Sequence, residues 1–287
     1  MVILPVLERV TRAVLVRRGV QSRFVETPVA RVHLYDAPGT GEQPPVVLLH
    51  GIAASASPFA PTLQRLRRKS RRVLAVDAPG HGLSGDPVSP FGPERLLEAI
   101  THVLDRELDR PAVVVGCSLG GAMALRYAMA RPERVCGLVL ASPGGAPVDD
   151  PDERERFLRS FELADTRDAR AFFERLHHAV PWYAPVLAPE LVRLFGRPAV
   201  RSLLAGIRPE HFFQPGELSA LTMPIQVVWG RSDRVIPAAC LSFFKKHLPP
   251  HARFEEPERV GHSPHIEDPR AFAATLERML AQIAEPS

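Results

Sequence analysis

Three residues that together could perform nucleophilic catalysis lie far apart in this chain, each in a distinctive local sequence. Ser118 is the centre of a Gly-x-Ser-x-Gly pentapeptide, Asp233 follows an apolar run, and His262 lies in a loop near the C-terminus. A serine hydroxyl is a weak nucleophile at neutral pH and needs a base, for which histidine has a suitable pKa. The histidine needs a carboxylate that holds its tautomer and stabilises the imidazolium. The sequence therefore predicts a nucleophile, a base and an orienting acid.

The residues around Ser118 predict the sharp turn that such a nucleophile requires. The β-branched run at 113–115 is typical of a buried strand, and residues 122–128 are typical of a helix, so the pentapeptide joins the two. Its glycines at 116 and 120 would let strand and helix approach closely. A glycine-rich turn with an incidental serine is the alternative. The downstream order of acid and then base favours the nucleophile.

Other apolar runs, each followed by a polar loop, predict the strands that position these residues. Runs of this kind are typical of parallel strands covered on both faces, and the stretches between them have helical spacing. The predicted strands are 46–49, 73–76, 135–140, 225–230 and about 252–255, with an antiparallel edge hairpin at 23–37. The predicted fold class is therefore α/β, with a mostly parallel central sheet flanked by helices.

Residues 147–216 differ in sequence pattern from the rest of the chain. They lack a buried-strand pattern, are broken by prolines and carry many aromatic residues. We predict a helical cap here, inserted between the two parts of the core at 1–146 and 217–287. Most of the cap's aromatic side chains are expected to form its own small core, and a minority to face a substrate pocket.

Five motifs in this order resemble those of the α/β-hydrolase family, in its serine-nucleophile, esterase- and lipase-like branch. The similarity covers about residues 30–146 and 217–285 and is carried by His50-Gly51, the loop 77–84 (DAPGHGLS), Gly116 to Gly121, the segment 229–233 (WGRSD) and Gly261-His262.

The resemblance implies an α/β-hydrolase fold and an oxyanion hole. The hole would be formed by the backbone N–H of Leu119 and that of Ile52 or Ala53, with His50 and Gly51 in the supporting loop. It implies neither a cofactor nor a metal.

Several other residues could compete for the same roles. His50 and His81 each precede a glycine in a motif loop and are predicted to be structural. His265 is predicted to be a surface group or to support His262 from behind. Cys117, directly before the elbow serine, should point into the core and be inert.

Other aspartates could supply the orienting acid in place of Asp233. Asp77 follows an early strand, where its position suits loop geometry better than catalysis. Asp149 and Asp150 follow the strand after the elbow, where some members of the family that this chain resembles place the acid, so they stay open as alternatives to Asp233.

Hydrolysis of a carboxylic ester through an acyl-enzyme is the leading hypothesis for the reaction. A serine at the elbow argues against the aspartate-nucleophile branches of the family. The aromatic cap, and the lack of an evident charged clamp, favour an apolar acyl or aryl substrate. One alternative is C–C bond hydrolysis, as in the meta-cleavage-product hydrolases, which this chain also resembles at residues 142–145; those enzymes carry tryptophan after the histidine, where Ser263 stands here. The other alternative is that the protein binds a ligand and catalyses no reaction.

Composition limits the partners and the compartment. The formal charge is +4, but the arginines are scattered and no nucleic-acid-binding motif is found, so nucleic acid is not expected. Three cysteines, two of them in apolar runs, favour reduced thiols and a cytoplasmic setting. Met1 to Arg18 predicts a helix packed on the body of the domain; alternatively, this basic amphipathic helix would touch a membrane surface weakly. The sequence assigns no oligomeric state.

Overall fold

The computed structural model describes residues 3–284, which contain a single mixed sheet with helices on both faces. The strands are β1 Gln21–Glu26, β2 Arg31–Pro38, β3 Val46–Leu49, β4 Arg72–Val76, β5 Ala112–Cys117, β6 Val135–Ala141, β7 Ile225–Val228 and β8 Arg253–Glu255. The helices are α1 Leu4–Arg17, α2 Ala60–Leu66, α3 Pro93–Glu107, α4 Leu119–Ala130, α5 Pro151–Arg159, α6 Thr166–Leu176, α7 Ala184–Phe195, α8 Pro198–Ala205, α9 Ala238–His247, α10 Pro264–Glu267 and α11 Pro269–Ala284.

The strands lie in the order β1-β2-β4-β3-β5-β6-β7-β8. β1 pairs with β2, and β2 with β4, in the antiparallel sense, and all later pairs are parallel. The predicted α/β class is confirmed, as are the edge hairpin and the parallel sheet. Parallel strands leave their carboxyl ends on one edge of the sheet, which is where ligands bind in folds of this kind.

The central strands are apolar along their whole length because both faces of the sheet are covered. In β5, Val114 packs into the cluster that includes α3 and α4, whereas Val113 and Val115 pack into the cluster that includes α2 and α11. This alternation follows from the two-residue period of a strand. It explains why continuous valine runs, and not alternating patterns, marked these strands in the sequence.

The remaining sequence predictions differ from the structure mainly at element ends. Four helices, α5 to α8, lie between β6 and β7, where the helical segment was expected. The predicted N-terminal helix runs from Leu4 to Arg17; Met1 and Val2, like the last three residues, lie outside the described residues. The short helix α10 was not predicted, because one turn shows no periodicity. Within residues 3–284, no helix is both long enough and apolar enough to cross a membrane.

Candidate active site

Ser118 lies between β5 and α4 with a backbone conformation that is rare for a residue with a side chain. Its φ is 52° and its ψ is −118°, in the region where a Cβ atom is strained. Four backbone hydrogen bonds hold it there. Its N–H donates to the Ala141 carbonyl at 2.9 Å, and its carbonyl accepts from Gly121 and Gly144 at 2.9 Å and from Ala122 at 3.2 Å. The predicted sharp turn is therefore present.

Two glycines of the pentapeptide are required by close approach. A Cβ atom on Gly116 would lie 2.2 Å from the Gly120 carbonyl oxygen, and one on Gly120 would lie 2.4 Å from the Leu49 carbonyl oxygen. Both clashes are with backbone, which cannot rotate away as a side chain can. The strand and the helix therefore meet at a distance that only glycine permits.

Asp233 and His262 form a hydrogen-bonded pair at the carboxyl edge of the sheet. His262 Nδ1 lies 2.8 Å from Asp233 Oδ2, and both side chains are buried. The other carboxylate oxygen accepts from the Val235 N–H at 2.8 Å. Burial alone would raise the pKa of Asp233, but the charge and hydrogen bond of His262 outweigh it and hold that pKa below its ordinary value. An ionised Asp233 fixes the tautomer of His262 and leaves Nε2 as its available nitrogen.

Ser118 and His262 both line a cavity of about 440 Å³. That volume is within the range of small-molecule sites. Its walls come from the core, from α1 and from the helices between β6 and β7. We expected a minority of the nine aromatic residues in that segment to face the pocket, but five of them line the cavity. They are Phe161, Phe172, Phe173, Tyr183 and Phe195. Phe161 and Phe195 each pack against Phe172, so rings that pack on one another within the segment also form the wall.

Charged side chains also line this cavity, which the sequence did not indicate. They are Glu8 of α1, Arg193 of α7 and Arg197, which precedes α8. Burial, the largest influence, raises the pKa of Glu8. No charged clamp was evident in the sequence because Glu8 and Arg193 are separated by 185 positions. They are brought to the same cavity only by the packing of α1 on the helical segment.

The loop after β3 reaches the cavity beside Ser118. A Cβ atom on Gly51 would lie 3.1 Å from Ser118 Cβ, and Ile52 and Ala53 both line the cavity. Ala53 has a positive φ of 54°. The N–H groups of Ile52, Ala53 and Leu119 find no hydrogen-bond acceptor in the described part of the chain. Leu119 is not a lining residue, but it follows Ser118 directly and begins α4.

Both ring nitrogens of His50 are engaged by backbone groups. Nδ1 donates to the Gly51 carbonyl at 2.7 Å, and Nε2 accepts from the Ala78 N–H at 2.9 Å. Burial lowers the pKa of His50. The ring is therefore neutral and bridges the loops that follow β3 and β4, a geometry that fits a structural residue and leaves no nitrogen for proton transfer.

A second Ser–His–Asp chain, which the sequence reading missed, runs through Ser22, His33 and Asp77. Ser22 Oγ lies 2.8 Å from His33 Nε2, and His33 Nδ1 lies 2.7 Å from Asp77 Oδ2. Asp77 also accepts the N–H groups of Ala56 and Leu83 at 2.6 and 3.0 Å. Burial alone would raise the pKa of Asp77, but the His33 hydrogen bond and nearby charge lower it. None of the three residues lines the cavity. Asp77 therefore stabilises the loops whose N–H groups it accepts, which is the structural role that its position in the sequence indicated.

Among the remaining candidates, Cys117 and His265 also line the cavity but are buried, whereas His81 and Asp150 do not line it. His81 is buried, and burial lowers its pKa to about 3. His265 is buried behind the elbow, with Nδ1 3.5 Å from Cys117 Sγ and a pKa that burial also lowers to about 3, so the surface position offered for it is wrong. Burial raises the pKa of the Cys117 thiol. Asp150 caps α5 by accepting the Asp152 N–H at 2.8 Å and is exposed.

Asp149 is likewise exposed and does not line the cavity. The contact with His262 Nδ1 is made by Asp233. Within residues 3–284, no cluster of three or more His, Cys, Asp or Glu side chains suited to a metal ion is present.

Comparison with known proteins gives consistent relationships. Residues 46–275 match a family model described as the alpha/beta hydrolase family. The chain is 31% identical over 254 residues to a pimeloyl-(acyl-carrier protein) methyl ester esterase of Xanthomonas campestris pv. campestris (strain B100), across 85% of this chain and 97% of that protein.

Two solved structures share the fold at lower identity. A bacterial membrane phospholipase A matches with a TM-score of 0.83 at 20% identity, covering 98% of this chain and 93% of that one. A 2-hydroxy-6-oxo-6-phenylhexa-2,4-dienoate hydrolase from Rhodococcus sp. strain RHA1 matches with a TM-score of 0.76 at 23% identity, covering 91% and 99%.

We expect Gly120→Ala to destabilise the protein by about 2 kcal/mol or more, because the new methyl group would overlap the Leu49 carbonyl. Gly85→Ala is the matched control, since its nearest contact would be an ordinary 3.5 Å. Urea unfolding measures both. Equal stability of the two variants would contradict the packing argument.

The buried Asp77 predicts a pH dependence of stability. Its pKa is lowered in the folded state, so its stabilisation is present above the unfolded pKa of about 3.9 and is lost as pH falls through the folded value. Asp77→Asn should cost about 3 kcal/mol at pH 7 and make stability fall less steeply below about pH 4. Urea unfolding at several pH values, with the exposed Asp86→Asn as control, tests this; an unchanged slope for Asp77→Asn would refute it.

Proposed function

This chain belongs to the alpha/beta hydrolase family, and from that premise we propose that it is a serine hydrolase of carboxylic esters that acts through an acyl-enzyme. The family match and the similarity to an esterase support an enzymatic function for this chain. The observation that carries the finer proposal is the joint placement of a strained serine and a histidine on one cavity, with that histidine bonded to a buried carboxylate.

In the proposed reaction, Ser118 Oγ attacks the ester carbonyl carbon and His262 Nε2 takes its proton. The tetrahedral intermediate collapses when the same nitrogen returns that proton to the departing alcohol. Water then attacks the acyl-enzyme with His262 again as base, which releases the acid and frees Ser118. Asp233 stays ionised throughout and stabilises the imidazolium that forms in each half of the reaction.

The oxyanion of the intermediate would be held by backbone N–H groups that have no hydrogen-bond acceptor within residues 3–284. Leu119 supplies one, and Ile52 or Ala53 supplies the other from the loop after β3. Leu119 is also the first residue of α4, where the helix dipole favours negative charge. Donors fixed where charge develops contribute roughly 3–4 kcal/mol each to catalysis.

The cavity wall favours an ester with an apolar acyl or aryl group. Leucine and phenylalanine side chains from the segment between β6 and β7 form much of that wall, and we propose that residues 147–216 act as the cap of a core made by 1–146 and 217–287. The esterase relative is named for a methyl ester of an acyl chain, which agrees with this bond type. Glu8, Arg193 and Arg197 add a polar side to the wall.

We expect Ser118→Ala to lower kcat/KM for nitrophenyl esters by about 10⁴-fold or more, because the nucleophile is lost. Ser22→Ala is the matched control, since Ser22 has the same histidine and aspartate partners but lies away from the cavity; its turnover should stay within about twofold. A fluorophosphonate should label the wild type at Ser118. Retained turnover in Ser118→Ala would refute the nucleophile, and absence of labelling would revive a non-catalytic role.

The cap wall predicts a chain-length effect. Leu191, on α7, lines the cavity, and Leu191→Trp would fill part of it. We expect the ratio of kcat/KM for nitrophenyl octanoate to that for nitrophenyl acetate to fall by about tenfold, since lost apolar contacts of this size change specificity by that order. An unchanged ratio would place the acyl group elsewhere.

A further inference from the structure

The large apolar side chains that are exposed on this protein are concentrated in three segments. Among residues 3–284, ten of the eleven lie on α1, in residues 180–186 or at position 266, and Val88 is the exception. Isolated exposed apolar residues are ordinary, but a concentrated set indicates an interaction surface. We name the set formed by α1, residues 180–186 and Ile266 the mouth surface.

The mouth surface surrounds the opening of the cavity that holds Ser118. Leu7 of α1, Tyr183 and Ile266 each line that cavity while remaining exposed to solvent. A residue that belongs to both a cavity wall and the outer surface lies at the rim. Each of the three segments therefore contributes one rim residue, and through these three residues the apolar part of the lining adjoins the mouth surface.

α1 is fixed on the body, so its outer face is displayed and not free to fold inward. Leu15 is buried in the core, Arg12 Nε donates to Ser22 Oγ at 2.9 Å, and the Ile3 N–H donates to Glu190 of α7 at 3.2 Å. Val6 and Val10, one helical turn apart, are each 54% exposed. Val14, a further turn along, extends this row away from the core.

The charge around this row is positive. Arg9, Arg17 and Arg18 of the N-terminal segment are exposed. Glu8 is the one acidic residue between positions 3 and 20, and it lines the cavity. Trp182, whose ring packs edge-on against that of the rim residue Tyr183, is 88% exposed. Arginine beside an aliphatic row, together with exposed tryptophan and tyrosine, is the chemistry that suits the headgroup region of an anionic bilayer.

We propose that the mouth surface docks on a lipid bilayer that carries anionic headgroups, so that the cavity opens toward the lipid. Docking would bury the valine row and Trp182 at the level of the headgroups, with the arginines on the phosphates. This binding requires no turnover, so it is independent of the proposed hydrolase activity.

Flotation of the purified protein with vesicles tests the proposal. Wild type should float with phosphatidylcholine vesicles that contain phosphatidylglycerol, and less with pure phosphatidylcholine or in high salt. Arg9→Gln should weaken partitioning about fivefold, the equivalent of about 1 kcal/mol for one basic residue at the surface. Val10→Asp should weaken it by about tenfold or more. Val88→Asp is the matched control, because Val88 is 51% exposed but outside the mouth surface.

Two results would overturn the proposal: wild type that fails to float with the anionic vesicles, or equal flotation of Val10→Asp and Val88→Asp. If sedimentation velocity shows a dimer that Val10→Asp dissociates, without vesicle binding, the surface joins two copies and the proposal is wrong. Thermal unfolding checks that the variants are folded. Ser118→Ala should float like wild type, which separates a failure of docking from a failure of the proposed reaction.

Discussion

The close approach of β3, β5 and α4 is the constraint on which the candidate site depends. Backbone carbonyls of Leu49 and Gly120 occupy the space where side chains at positions 120 and 116 would lie, so the chain passes from strand to helix with no room for adjustment. Ser118 adopts a strained backbone conformation that four backbone hydrogen bonds hold in place. Its hydroxyl and the first N–H groups of α4 thereby keep a fixed relation, which a flexible loop could not provide.

The two Ser–His–Asp groups of this molecule share the histidine–aspartate hydrogen bond and differ in their surroundings. The bond from histidine to serine is present for His33 and Ser22, and among residues 3–284 none joins His262 to Ser118. In the chain of Ser22, the serine lies in an edge strand and accepts from Arg12, and the aspartate is occupied by loop N–H groups. Ser118 instead combines a strained turn, nearby N–H groups without acceptors and an apolar cavity. Hydrogen bonds among a serine, a histidine and an aspartate therefore do not by themselves indicate a catalyst. A substrate carbonyl must also be able to reach the serine, and the developing charge must be stabilised there.

How much could be predicted from the sequence depended on whether the signal was local. Valine runs and the Gly116–Gly120 spacing are local, so the sheet and the elbow were predicted. The partner of His33 is 44 positions away, and the charged cavity wall joins Glu8 to Arg193, so neither could be read from spacing. Helix α10 is a single turn, too short for periodicity to appear. The sequence shows where the aromatic residues lie along the chain, but which of them line the cavity depends on how the helices of the inserted segment pack.

The cavity wall couples the chemistry to the outer surface. Leu7 and Tyr183 belong to both, while α1 is joined to α7 through the Ile3–Glu190 bond and to the core through Arg12. An acyl chain that moved from a bilayer toward Ser118 would remain in apolar contact along this route and would avoid the cost of exposing its methylenes to water, about 0.8 kcal/mol each. Long chains would gain most from that route. The position of α1 at the rim thus connects the proposed preference for apolar esters with the proposed site of docking.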